Sequence, residues 1–192
     1  MKKILQKEEK ILRRIAREVP VSDIKTTKIK KMLEEMSEAL KSQDDGVAIA
    51  APQIGYSVRI FMVSGKVLKA GFPERGLSQD DGPRGSATRT LVDSDPARGN
   101  SAEKDLIFIN PKISKLSQGK EWMPEGCLSV RPLYGKTFRS KKATVVAYDE
   151  NGKKFTRGAA GLLAQIFQHE TDHLNGILFI DHAKDVKEEL PK

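Results

Sequence analysis

The chain has 192 residues, of which 38% are apolar and 31% are charged, and its formal net charge is +8. This balance is typical of a globular protein with one modest core, so we expect a single domain. No run approaches the ~18 to 20 apolar residues of a transmembrane helix, which excludes a membrane-spanning protein. The only cysteine, Cys127, excludes an internal disulfide and favours a cytoplasmic location.

Positive charge is concentrated near the N-terminus, where residues 1–31 contain 11 Lys or Arg against 4 Asp or Glu side chains. The first ten residues lack the apolar segment of a secretory signal, so mature sequence is expected. A basic surface attracts polyanions, but no aromatic residues interleave this stretch to stack on bases. A solvated face is therefore favoured, with transient ribosome contact as the alternative. Sequence-specific nucleic-acid binding is not expected.

Three segments in the first third of the chain have distinct patterns. Apolar residues recur at three- and four-residue steps between 26 and 40, which predicts a helix capped by Thr26 or Thr27. Residues 46–55 are rich in small side chains and have no clear helix or strand periodicity. Residues 58–63 have the β-branched and aromatic content of a strand.

The composition changes at residues 70–104, which are dense in Gly, Ser, Asp, Pro and Arg. They offer few apolar side chains to bury, so we expect a flexible insertion there. A strand is predicted at 106–110, ending at Pro111, with short strands continuing to Trp122. A second sheet region spans 136–157, where Asn151-Gly152 indicates a hairpin turn.

The last predicted helix spans 160–174 and ends at Asn175-Gly176. One face of it carries apolar residues and two histidines at steps of four, three and four residues: Leu162, Ile166, His169 and His173. We expect that face to point into the protein. Residues 185–190 are predicted to form at most two helical turns. Short, mostly antiparallel strands around one buried helix define an α+β fold.

The sequence His169-Glu170-Thr171-Asp172-His173 indicates a metal site. Residues four apart are adjacent on a helix face, so both imidazoles can reach one divalent ion. Glu170, next to the first ligand, can then address a water molecule on the ion. A catalytic ion needs a third protein ligand, and Cys127 is the candidate because it can bind as a thiolate and Gly126 permits close backbone approach.

Three segments resemble the motifs of the peptide deformylases, in that family's order. They are Gly46-Val47-Ala48-Ile49-Ala50-Ala51-Pro52-Gln53, Glu125-Gly126-Cys127-Leu128-Ser129 and Gln168-His169-Glu170-Thr171-Asp172-His173. The resemblance covers nearly all of residues 1–192 except 70–104. It implies one catalytic domain with an insertion, built around a metal-binding helix that carries H-E-x-x-H.

The resemblance implies hydrolysis of the N-formyl group from the initiator methionine of new polypeptides, with release of formate. Metal ligation falls to Cys127, His169 and His173, and proton transfer to Glu170. The Gln53 side-chain amide and the Leu128 backbone N–H would donate hydrogen bonds to the developing oxyanion.

The resemblance also assigns residues to substrate binding. Those matching the wall of the methionine pocket or the peptide path are Val47, Ala48, Glu125, Gly126, Leu162 and Ile166. The family pattern has glycine where this chain has Ala48, and a methyl group there would crowd the substrate backbone or exclude a positive φ.

Family resemblance favours one Fe²⁺ ion, with Zn²⁺, Ni²⁺ or Co²⁺ as alternatives. The implied partners are N-formylmethionyl nascent peptides, and we expect a monomer.

Two other classes stay open: an endopeptidase using the same H-E-x-x-H chemistry, and a binding module with a structural metal. The latter needs four protein ligands, and His182 is expected to be an exposed residue rather than the fourth.

Overall fold

A computed structural model describes residues 2–69 and 104–189. The helices are α1 (Thr27–Lys41), α2 (Gly65–Lys69) and α3 (Gly161–Leu174). The strands are β1 (Ala48–Ala50), β2 (Ile60–Val63), β3 (Leu106–Leu116), β4 (Lys120–Gly126), β5 (Leu133–Ser140), β6 (Lys142–Tyr148), β7 (Lys154–Ala160) and β8 (Lys184–Glu188). Short 3₁₀ turns occupy Lys10–Arg13, Val21–Asp23, Ala51–Ile54 and Phe179–Asp181.

The strands form two sheets, as the predicted α+β class requires. Five strands pair in the order β1-β2-β3-β6-β7, and three pair in the order β4-β5-β8. All of these pairings are antiparallel. The predicted insertion at 70–104 lies outside the described residues except for residue 104.

Helix α3 packs against the five-stranded sheet through an aromatic core. The rings of Phe61 and Phe108 stack with centroids 4.5 Å apart, and Phe167 of α3 meets Phe108 edge-on at 5.1 Å. All three side chains are fully buried. Burying a side chain of this size contributes about 1.5 to 3 kcal/mol, so this contact fixes α3 on the sheet.

Several sequence predictions agree with the fold. Helix α1 starts one residue after Thr26, whose Oγ1 accepts the Ile29 N–H at 3.5 Å. Strands β6 and β7 form the predicted hairpin, and Gly152 in its turn has φ +73°. Helix α3 ends at Leu174, and Gly176 follows with φ +75°. None of the helices in the described ranges is long and apolar enough to cross a membrane.

Two predictions of secondary structure are wrong, one in the end of a strand and one in the type of element. Strand β3 does not end at Pro111 but continues to Leu116, because a register shift between Ile109 and Lys112 places the proline where the ladder needs no N–H donor. Residues 184–188 form β8 rather than helical turns. Pairing with β5 overrides the local helical propensity of this charged segment.

Candidate metal centre

Cys127, His169 and His173 bring one potential ligand atom each to within 4.8 Å of one another. The Nε2 atom of His173 lies 3.2 Å from Cys127 Sγ and 3.2 Å from His169 Nε2. His173 is fully buried, whereas Cys127 and His169 reach the wall of a pocket. The three residues predicted as ligands therefore meet in space.

Two elements present these side chains. His169 and His173 lie one turn apart on α3, with ring centroids 4.8 Å apart. Cys127 directly follows β4, where the N–H of Val130 donates to the Cys127 carbonyl at 3.0 Å and closes a tight turn. The turn holds the thiol opposite the two imidazoles.

The chemistry of the cluster fits a divalent transition metal, because a thiolate and two imidazoles are ligands such ions prefer. Burial lowers the pKa of His173, which keeps its ring neutral, the form that ligates. Within the described ranges, three buried side-chain atoms lack a hydrogen-bond partner, and two of them, His173 Nδ1 and Glu170 Oε2, belong to this site.

His169 is oriented by Glu125, whose Oε1 lies 2.6 Å from His169 Nδ1. An ionised carboxylate only accepts hydrogen bonds, so Nδ1 carries a proton, and Nε2 is the nitrogen that can ligate once it is deprotonated. Burial acts to raise the pKa of Glu125, but hydrogen bonds from His169 and Arg139 outweigh it and hold that pKa well below its usual range. Glu125 is therefore a carboxylate at neutral pH.

Burial also acts to lower the pKa of His169, but hydrogen bonds with Cys127 and Glu125 outweigh it and raise that pKa. Since a histidine ligates only when its coordinating nitrogen is free, metal binding at this site releases a proton.

Arg139 neutralises Glu125 from the other side. Its Nη2 and Nε atoms donate to Glu125 Oε1 and Oε2 at 2.7 and 3.1 Å, and its Nη1 donates to Asp172 Oδ2 at 2.6 Å. The hydroxyl of Thr137 and the amide of Gln165 also donate to Glu125. Arg139 thus joins β4 to helix α3 through two carboxylates.

The sequence pattern does not indicate four residues of this site: Arg139, Thr137, Gln165 and Asp172. The pattern contains no signal for Arg139, because it lies fourteen positions after Glu125 on the next strand. Glu125 itself was assigned to the peptide path. Glu125 does line the pocket, but its carboxylate is buried and bonds to His169 and Arg139.

Glu170 is the second buried carboxylate of the site. Only 3% of it is exposed, and it lines the pocket next to His169. Burial raises the pKa of Glu170 to about 7, against the opposing effect of a charged His169. A group with that pKa exchanges a proton readily at neutral pH.

Gln53 approaches Cys127 from the opposite side of the pocket. Its Oε1 accepts the Ala50 N–H at 2.7 Å, which fixes the amide and aims Nε2 at Ser129 Oγ, 3.0 Å away, and at Cys127 Sγ, 3.6 Å away. Gln53 is 1% exposed. Across residues 2–69 and 104–189, no hydrogen-bond acceptor is found for the Leu128 N–H.

A pocket of about 410 Å³ opens above these groups. Its lining contains every residue predicted for the site except His173: Val47, Ala48, Gln53, Glu125, Gly126, Cys127, Leu128, Leu162, Ile166, His169 and Glu170. Six further residues complete the wall and were not predicted as site residues: Asp45, Gly46, Pro124, Arg131, Tyr134 and Gln165. Leu162 does not continue the buried face of α3 as expected. It is 42% exposed because it lies in the first helical turn, at the rim of the pocket.

A buried Cys/His/His cluster with a carboxylate of raised pKa beside it, at the floor of a pocket, is typical of metal-dependent hydrolases. A family model described as polypeptide deformylase matches residues 1–189. The chain belongs to the polypeptide deformylase family.

Individual relatives support this membership over nearly full length. Peptide deformylase 2 of Clostridium acetobutylicum is 34% identical over 181 residues, covering 94% of each chain. A peptide deformylase of Halothermothrix orenii is 36% identical over 171 residues, 89% of this chain and 87% of that one.

Solved structures agree. The crystal structure of the Thermotoga maritima peptide deformylase matches with a TM-score of 0.71 at 28% identity, over 96% of this chain and 98% of that one. A Met-Ala-Ser-bound crystal structure of the Acinetobacter baumannii class I type b enzyme matches with a TM-score of 0.70 at 26% identity, over 93% and 97%.

Proposed function

We propose that this chain removes the N-formyl group from the N-terminal formyl-methionine of new polypeptides with a metal held by Cys127, His169 and His173. Membership of the deformylase family supports the reaction. The observation that carries the assignment of residues is the convergence of these three ligand atoms beside Glu170 at the floor of the pocket. The bound ion supplies Lewis acidity, which makes both water and the formyl carbonyl more reactive.

Glu170 moves the proton. Its unpartnered Oε2 accepts the proton of the attacking water and then delivers it to the amine nitrogen that leaves. The pKa of about 7 suits both steps, because the carboxylate is basic enough to accept the proton and acidic enough to return it.

Gln53 and Leu128 stabilise the charge that develops on the formyl oxygen. The Gln53 amide is held by the Ala50 N–H, so Nε2 donates from a fixed position. The Leu128 N–H supplies the second donor. Removing one such donor costs about 10²- to 10³-fold in kcat in other hydrolases.

The rest of the pocket binds substrate. Val47, Leu162 and Ile166 provide apolar wall for an unbranched methionine side chain, and Ala48 and Gly126 border the peptide path. Leu162 and Val47 are each about two fifths exposed. An apolar substrate side chain in the pocket would cover this exposed surface.

We assign Fe²⁺ as the ion, with Zn²⁺, Ni²⁺ and Co²⁺ as the ions that could replace it. The thiolate ligand supports an oxygen-sensitive centre, because Cys127 can be oxidised. Aerobic storage should lower activity and Fe²⁺ content together. Full retention of both would contradict the Fe²⁺ assignment.

The test is formate release from formyl-Met-Ala-Ser by anaerobically purified protein, with metal content measured on the same sample. We expect turnover in the wild type and a loss of about 10²- to 10⁴-fold in Glu170→Gln at unchanged metal content. Glu34→Gln, an exposed change on α1, is the matched control. A full metal site without formate release would overturn the proposal.

The same sample separates the rival classes. Cleavage inside an unformylated, N-blocked peptide would indicate an endopeptidase. A structural metal needs a fourth protein ligand, but the cluster found in the described ranges has three members. His182 lies elsewhere, with its side chain 38% exposed and Nε2 4.0 Å from Asp172 Oδ2.

We further propose that the enzyme is a cytoplasmic monomer of one domain, with residues 70–104 as an insertion, and contacts the ribosome only transiently. The excess of basic residues at 1–31 supports such contact. Pelleting with ribosomes at low and high salt tests it, and absence of binding at low salt would contradict it.

A further inference from the structure

Residues 4–6 run behind both segments that carry the proposed oxyanion donors. The Leu5 N–H donates to the Gln53 carbonyl at 2.8 Å. One residue later, Gln6 Nε2 donates to the Leu128 carbonyl at 3.1 Å and lies 3.4 Å from the Ile4 carbonyl. Two hydrogen bonds from adjacent residues thus tie the Gln53 turn and the Leu128 turn to one short piece of chain.

Packing holds this piece in place. Ile4 and Leu128 pack against the same apolar cluster, which includes Ile54. Leu5 packs against a different cluster around Val130 and Phe179, and Cys127 packs against that one too. Two adjacent residues of the segment are therefore anchored in different clusters, and Gln6, which follows them directly, is half-buried.

The Leu128 turn needs such an anchor. The turn is closed by the Val130 N–H on the Cys127 carbonyl, which leaves the Leu128 carbonyl to be satisfied by the Gln6 amide. The N–H and C=O of one residue are separated by its two backbone torsions, so holding the carbonyl limits how the N–H can point. An error of about 1 Å in an active-site group can cost about 10²-fold in rate.

We propose that Gln6 is a positioning residue for the reaction, which aims the Leu128 N–H at the developing oxyanion by holding the Leu128 carbonyl. This inference rests on the proposed function, since it presumes the role of Leu128. Gln6 does not touch the substrate pocket and lies 122 positions from Leu128 in sequence.

Two substitutions separate the hydrogen bond from the packing. Gln6→Ala removes both, and Gln6→Glu keeps the shape but replaces the donor with an acceptor. We expect kcat to fall about tenfold or more in each variant, below the loss from removing a donor outright. The KM for formyl-Met-Ala-Ser, the metal content and the Tm should change little. Gln43→Ala and Gln43→Glu are matched controls, because Gln43 is also half-buried and its side chain, within the described residues, bonds to neighbouring Ser42.

A second measurement does not need turnover. In the Zn²⁺-loaded protein, the NMR amide signal of Leu128 should shift in the Gln6 variants and not in the Gln43 variants. An unchanged Leu128 signal, a Gln6→Glu variant as active as wild type, or parallel losses of Tm, metal and kcat would each overturn the inference. If wild-type protein released no formate, the proposed function would fail, while the Leu128 signal would still test the positioning.

Discussion

Glu125 and His169 are joined by a hydrogen bond of 2.6 Å between Oε1 and Nδ1, and Glu125 is only 6% exposed. This bond selects the tautomer of His169 that can ligate a metal through Nε2. The charge of Glu125 is balanced by Arg139, so the interaction persists without a solvent shell.

Replacing Glu125 by glutamine should weaken metal binding. Loss of such an outer partner typically lowers metal affinity by about 10- to 100-fold. Competition with a chromophoric chelator measures the affinity directly. Asp172→Asn is the matched control, because it removes the other carboxylate of Arg139 and leaves the bond to His169. Equal affinities in the two variants would contradict the orienting role.

A methyl group at residue 126 should disturb the pocket. A Cβ on Gly126 would lie 2.4 Å from Tyr134 Cε1, so the ring must move. We expect Gly126→Ala to lower the free energy of unfolding by about 1 to 3 kcal/mol and to raise KM, since Tyr134 lines the pocket. Thermal unfolding and kinetics measure both. Gly119→Ala, whose Cβ has its nearest neighbour at 3.9 Å, should leave both unchanged.

Ala48 stands where the family pattern has glycine. It lies in β1 and is not among the described residues with positive φ, so the backbone here does not require glycine. Ala48 does line the pocket, so we expect its methyl group to crowd the substrate there. We expect Ala48→Gly to raise kcat/KM and to lower the free energy of unfolding by about 0.5 to 1 kcal/mol. Ala143→Gly, buried in β6, should show the stability loss alone. Unchanged kinetics in Ala48→Gly would show that the Ala48 methyl group does not crowd the substrate.

Gly176, the second residue after α3, should tolerate no side chain. Gly176 has φ +75°, and a Cβ there would lie 2.7 Å from the Arg13 carbonyl carbon and oxygen. We expect Gly176→Ala to lower the free energy of unfolding by more than the roughly 1 to 3 kcal/mol that backbone strain alone costs. Gly152→Ala isolates the strain, because φ is +73° but the nearest atom is 3.9 Å away. Chemical denaturation compares the two, and equal losses would mean that the Arg13 contact relaxes freely.

The cluster could be predicted because its main signal is local. Helical spacing places His169 and His173 on one face, and Cys127 is the one cysteine that can supply a thiolate. Gln53 followed from the resemblance to family motifs. Arg139 could not be predicted, because a salt bridge between neighbouring strands and a helix leaves no periodic pattern in sequence. The contact of Gln6 with Leu128 could not be predicted either, because the two residues are 122 positions apart and no sequence pattern links them.

Predictions of the fold are wrong where tertiary contacts override the local conformational preference of the sequence. Residues 185–190 are predicted to form helical turns, yet residues 184–188 form β8 and pair with β5. Leu162 fits the apolar face of α3, but the helix begins at Gly161, so its first turn projects at the pocket rim rather than into the core.

Arg139 reaches from β5 to Glu125 on β4 and to Asp172 on α3, so it fastens the strand preceding the cysteine to the helix that carries both histidines. The ligand-bearing segments are thus held together by the protein's own charges. We therefore expect this scaffold to keep its fold while one ion replaces another. The identity of the ion in a living cell would then follow from which divalent metals the cell supplies, as much as from the preference of the ligands.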